Sequence, residues 1–172
     1  MNNAAIISQI ISFFGYLFFQ VFFARHLILF DVAFCFVYIG FLISFNPEIS
    51  RISFLLIAFA FGFSTDIFYN TLGVHTAACV LLAYLRPYLI ELMTEKSNRD
   101  TVIEVSIRRM GFVWYSTYAG ILLFVHHFLL FVLEASAASL FFITIQKIVA
   151  SFILTSIFLI IFQYLLFPIR KR

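Results

Sequence analysis

Residues 148–167 read IVASFILTSIFLIIFQYLLF, 20 residues without a charge, followed by Pro168 and then Arg170-Lys171-Arg172. About 20 apolar residues is what an α-helix needs to cross ~30 Å of hydrocarbon. The rest of the chain has the same character: 64% of it is hydrophobic, 26 residues are Phe, and only 11% are charged. Soluble proteins carry about 25% charged residues, so a water-facing surface cannot be built from this composition. Lipid is the expected solvent. A transmembrane barrel needs ~10-residue segments that alternate apolar and polar, whereas these runs are apolar on every side. The expected fold class is therefore all-α, a polytopic membrane helix bundle.

Working back from that last run, five further spans are read. The first is 4–24, ending at Arg25-His26, and the second follows at once as 27–45. Asn46-Pro47-Glu48 reads as a turn into a helix, since Asn can cap orphan amides, Pro is tolerated at the first helical position, and Glu favours the positive helix end. The third span is 52–69. Asn70-Thr71-Leu72-Gly73 breaks it from the fourth, 74–93, within which Pro87 is expected to kink or end the helix. Thr94 to Arg109 is the one extended polar stretch. The fifth span is 111–133, with Trp114, Tyr115 and Tyr118 placed as an aromatic belt at a membrane interface. Residues 134–147 are read either as interfacial or as an extension of the last helix. The first apolar stretch is longer than a signal-peptide core and is kept as a membrane helix. One integral membrane domain is expected over 1–172.

Orientation follows from the basic residues, which cytoplasmic loops retain. With six spans, Arg51, Arg86, Lys96, Arg99, Arg108, Arg109, Arg170, Lys171 and Arg172 fall on one side, and Arg25 and Lys147 on the other. Both termini are then cytoplasmic.

The same distribution speaks against nucleic acid, because the net charge of +3 is spread between apolar runs and forms no patch. Cys35 and Cys79 lack paired spacing, so they read as small packing residues. No cofactor or metal is expected. His126 and His127 are adjacent, point about 100° apart on a helix, and cannot both face one ion; at most one should face the bundle. Gly-rich phosphate loops are absent, and no nucleophile has a His and acid partner at matched depth. Enzymatic chemistry is not expected.

Charged groups inside spans cost ~2.5 to 3.5 kcal/mol or more on insertion, so each demands a reason. Asp66 sits about 29 Å along its helix from Pro47. It is read either as a carboxylate that reaches headgroup water or caps the next helix, or as a group shaping an external surface. His75, Cys79 and Arg86 lie on one stripe of the fourth span, which should face protein. Asp66 and His75 could meet across the turn. Arg86 is expected to snorkel to the cytoplasmic headgroups. Ala58, Gly62 and Asp66 share a face, and Ala60 with Ser64 forms a second small pair, for internal packing or for a partner helix.

At this point the sequence becomes recognisable. Gly62-Phe63-Ser64-Thr65-Asp66, then Leu72-Gly73-Val74-His75-Thr76-Ala77-Ala78, running on through Leu81-Leu82-Ala83-Tyr84-Leu85, resembles the MreD family of rod-shape-determining proteins. That family shows a Gly, an Asp four residues on, and a Leu-Gly-x-His/x-Ala run opening the next helix. The match covers residues 62–85 of 172. The resemblance implies a non-catalytic scaffold of the cell-wall elongation complex in the bacterial inner membrane. Its implied neighbours are a bitopic MreC-like protein, an MreB-like actin filament and the peptidoglycan-synthesising enzymes. Gly62, Asp66, Leu72, Gly73, His75 and Arg86 are the candidate structural or partner-contacting residues. The alternative is the substrate-binding membrane subunit of a vitamin importer, also a six-helix protein of this size. A cleft lined by Asp66, His75 and Lys147 would favour it.

Overall fold

The computed structural model describes residues 3–94, 104–135 and 141–166, with side chains from Ile6 onward. The elements in chain order are α1 (Asn3–Phe22), a 3₁₀ turn (Ala24–His26), β1 (Ile28–Leu29), β2 (Ala33–Phe34), α2 (Ile39–Ser44), α3 (Arg51–Tyr69), α4 (Val74–Met93), α5 (Ile107–Met110), α6 (Phe112–Glu134) and α7 (Phe141–Leu166). Among the described residues, five helices are long and apolar enough to cross a membrane: α1, α3, α4, α6 and α7. Their outward faces carry Phe14, Phe18, Phe59, Phe63, Phe124, Phe128 and Ile153, all exposed, a surface that suits lipid and not water. Residues 141–147 extend the last helix; 136–140 lie outside the described residues.

The expected span 27–45 is not a continuous helix, and this corrects the count of six long helices. Phe30 and Asp31 have φ of 54° and 60°, left-handed geometry at the centre of a turn that Val32 N closes on the Leu29 carbonyl at 3.2 Å. Through this three-residue loop the chain folds back as a β1–β2 hairpin, Ile28 opposite Phe34 and Leu29 opposite Ala33. From Ala33 to Phe36 it continues extended, and it then turns at Val37 and Tyr38 into the short helix α2. Val37, Tyr38, Ile39, Leu42 and Ile43 are fully buried, so this segment is the axis around which the long helices pack. At ~3.3 Å per extended residue and ~1.5 Å per helical one, residues 33–44 reach about 25 Å, against about 29 Å for the 19 residues of α3.

Non-helical backbone at that depth is tolerable only when protein satisfies it. Helix α7 does so from a stripe at four-residue spacing. Phe34 N donates to Ser151 Oγ at 2.9 Å and Phe36 N to Thr155 Oγ1 at 3.1 Å, while Gln163 Nε2 donates to Ser44 Oγ at 2.8 Å. From α1, Gln20 Nε2 donates to the Cys35 carbonyl at 2.9 Å and Gln20 Oε1 accepts from Tyr38 N at 3.2 Å.

The α3–α4 hairpin shows why small residues matter. A Cβ on Gly62 would lie 2.5 Å from Thr76 Cα, so only glycine lets the two backbones approach this closely. Ala58 is fully buried on the same face, whereas Ala60 is exposed. The Ala58–Gly62 face therefore serves internal packing. Helix α3 begins later than Pro47: Ser50 is its N-cap and accepts from Ser53 N at 3.1 Å, while Asn46 Oδ1 accepts from Glu48 N in a local turn. Pro87 does not end α4, which runs through it to Met93. Tyr115 and Tyr118 are buried in the core and do not form an interfacial belt; only Trp114 is half-buried, and its Nε1 donates to the terminal Met93 carbonyl of α4 at 2.9 Å.

Candidate functional site

Helix α4 starts without a capping side chain of its own, because its N-cap is Gly73 in a left-handed conformation with φ of 81°. Its first amides would be orphaned. Asp66, near the end of α3, takes the cap's place: Oδ1 accepts from His75 N at 3.0 Å and Oδ2 from Thr76 N at 2.9 Å, with the Thr71 and Thr76 hydroxyls donating as well. A carboxylate at the positive end of a helix is favourable for the same reason. Asp66 is only 4% exposed, so it does not reach out to headgroup water.

The meeting of Asp66 with His75 takes place through the backbone amide; the imidazole turns elsewhere. His75 Nδ1 is 2.9 Å from Tyr38 Oη, and the same hydroxyl is 2.8 Å from His126 Nε2. A phenol has one proton, so Tyr38 donates to one ring and accepts from the other. Tyr69 packs edge-on against His75 with centroids 4.8 Å apart, and its hydroxyl accepts from Gln20 Nε2 at 2.6 Å. The site is thus a hydrogen-bonded network of Gln20, Tyr38, Tyr69, His75 and His126 wrapped around the central segment.

His127 extends it. Nδ1 donates to the Leu123 carbonyl at 2.9 Å, which leaves Nε2 as an acceptor 3.3 Å from Thr155 Oγ1. Both His126 and His127 are fully buried, correcting the expectation that only one could face the bundle. The 100° between them is real, but α6 lies between α4 and α7, and the protein covers an arc wide enough for both. Among the described residues no cluster of three His, Cys, Asp or Glu side chains could hold a metal.

Arg86 does not snorkel. It is 3% exposed, at the far end of α4 from His75, where Nε donates to Tyr118 Oη at 2.8 Å and to the Ile43 carbonyl at 3.3 Å, and Nη2 to the Phe45 carbonyl. Its guanidinium lies 4.9 Å from the centre of the Phe54 ring. These carbonyls are at the C-terminus of α2, where orphan acceptors and the negative end of the dipole both call for a cation.

Of the six candidates, Gly62, Asp66, Gly73 and His75 converge on one joint, Arg86 serves the opposite end, and Leu72 is fully exposed at the turn with no role in the network. Asp66, His75 and Lys147 do not line a shared cleft: Lys147 sits over Phe34 and Phe131, 3.5 Å from Glu134. Gln20, Tyr38, His126, Ser151 and Thr155 were missed by sequence reasoning. The usable signal was Ser151, Thr155 and Gln163 recurring on one face of an otherwise apolar helix.

No protein-family model matches this chain, and neither the curated proteins nor the solved structures contain a match to it.

Proposed function

We propose that this chain is a multi-pass protein of the bacterial inner membrane that acts as a non-catalytic scaffold in cell-wall elongation, in the manner the MreD resemblance implies. One observation carries the reading. Four of the residues that carry the resemblance, Gly62, Asp66, Gly73 and His75, are scattered over two helices and a turn, yet they build a single joint: close approach, cap, left-handed turn and link to the core. That the members of the motif cooperate in one piece of architecture supports the resemblance.

In this reading the chain crosses six times, the central segment 33–44 making the second crossing, and both termini are cytoplasmic. The charges support it: Arg25 bonds the Phe68 carbonyl and Lys147 lies by Phe34 at one end of the bundle, while Arg51 and Arg86 flank the Phe45 end. Lys96, Arg99, Arg170, Lys171 and Arg172 lie outside the described residues. The partners are an MreC-like bitopic protein, an MreB-like filament and wall-synthesis enzymes. Depleting the protein in its host should round or widen the cells and misplace wall synthesis without loss of a nutrient's uptake. Normal shape with a vitamin requirement would select the importer subunit instead, and a periplasmic signal from a reporter fused after Arg172 would remove the six-crossing topology.

A further inference from the structure

A cavity of about 340 Å³ opens between the start of α3 and the second half of α4, at the small end of the ~300–1,000 Å³ typical of ligand sites. Its charged lining is Glu48, Arg51, Arg86 and Glu91. Arg86 is a built-in element, nearly fully buried and fixed by the carbonyls of Ile43 and Phe45. Arg51 stands exposed at the rim, 5.1 Å from the centre of the Tyr88 ring. Pro87 has no amide proton, so the Ala83 carbonyl four residues back loses its helical donor, and both residues line the same cavity. Phe54, Ile49 and Ile90 supply an apolar wall. Tyr84 and Tyr88 are exposed on α4 beside it, as aromatic side chains are at a membrane–water boundary.

We propose that this cavity binds the headgroup of a zwitterionic phospholipid bearing a primary ammonium, of the phosphatidylethanolamine class. The Arg51 guanidinium at the rim, with the buried Arg86 guanidinium in the wall behind it, matches a phosphodiester. The two carboxylates make the lining formally neutral, which penalises a net anion and favours a ligand that carries its own cation. The Ala83 carbonyl adds an acceptor for an ammonium. The apolar wall takes the glycerol and the first acyl carbons, which distinguishes a lipid from a free phosphate ester. The proposal needs a bilayer but not the wall-elongation reading, and stands or falls apart from it.

The full-length chain in a neutral detergent is titrated with phosphatidylethanolamine, phosphatidylglycerol or water-soluble glycerophosphoethanolamine, and retention is read by native mass spectrometry. One phosphatidylethanolamine should stay bound per chain, in preference to phosphatidylglycerol. Arg51→Gln should weaken retention about tenfold, the scale of one charge-assisted hydrogen bond. Glu48→Gln should abolish the preference for the zwitterion. Both residues are exposed, so helicity by circular dichroism should be unchanged; should Arg51→Gln lose it, the Glu48→Gln selectivity ratio decides alone. Equal retention of the two lipids by the native chain, or unaltered selectivity in Glu48→Gln, overturns the proposal. Equal binding of glycerophosphoethanolamine overturns the lipid as its source.

Discussion

The two ends of the central segment are held by opposite kinds of chemistry. Around Phe34 to Tyr38 the helices offer Gln20, Ser151 and Thr155, neutral groups that both donate and accept. Around Ile43 to Phe45 they offer Arg86, a group that only donates. Extended backbone leaves amides and carbonyls orphaned alike, whereas the C-terminus of a short helix leaves carbonyls alone. The side chain is matched to the sign of the orphan. A buried arginine that looked like a functional charge is thereby explained as the closing cap of α2.

Removing Arg86 is the harshest way to break that comparison. Arg86→Leu leaves the buried Phe45 carbonyl without its donor and the Tyr118 hydroxyl and Ile43 carbonyl with only each other, 3.1 Å apart. At ~1–3 kcal/mol for each group left short, a loss of about 3 kcal/mol is expected in detergent melting. Arg86→Lys keeps the charge but loses the fork that reaches both carbonyls, and should recover only part of it. Equal stability of Arg86→Leu and the native chain would show that the carbonyls find water or another donor.

At the neutral end the equivalent change is Tyr38→Phe, which keeps the packing and deletes one hydroxyl shared by His75 and His126. Two buried ring nitrogens then lose their partner, and about 1–3 kcal/mol should go. His126 Nδ1 is already without a partner among the described residues, so His126→Phe, paired with Tyr38→Phe in a double-mutant cycle, should be far less than additive. Additive losses would mean that the hydroxyl is not shared.

This contrast also explains what the sequence could reveal. Helices α3 and α4 were legible because Arg51–Tyr69 and Val74–Met93 are predominantly apolar runs bounded by Asn70 and Gly73, and every residue they need for capping lies within ten positions. The segment 27–45 is as apolar as its neighbours, and composition cannot tell a helix from a buried extended strand that lies among helices. What decides its form is over 100 residues away, in Ser151 and Thr155. Arg86 was misread for the same reason: its carbonyl partners exist only because α2 stops at Ser44. The histidine pair was misjudged because helical spacing states the angle between side chains but not the arc that neighbours cover.

Thr155→Val tests the dependence of the extended stretch on α7 with a near-isosteric change. The Phe36 amide loses its acceptor, and the Phe34 carbonyl and His127 Nε2 lose the one hydroxyl proton that lies 3.3 Å from each, for about 1–2 kcal/mol, and hydrogen exchange at Phe36 should quicken more than at Ile43. Equal protection at both positions would show that the segment opens as one unit and that its two ends are not held separately.

The mildest perturbation lies at the joint that sets His75 in place. Gly73 has φ of 81°, and a Cβ there would meet nothing within 4 Å, so any cost of substitution is conformational and not steric. A left-handed alanine costs ~1–2 kcal/mol, and asparagine, which tolerates that region, less. Asp66→Ala in the same joint removes a cap worth ~0.5–2 kcal/mol without touching the turn's backbone. If the neutral end depends on where α4 begins, Gly73→Ala should weaken the Tyr38 contacts as well, and Gly73→Asn should restore them. Stability, membrane level and rescue of cell shape measured together separate a loosened fold from a lost surface. Asparagine rescuing stability but not shape would assign this turn a direct part in partner binding, beside its part in starting the helix.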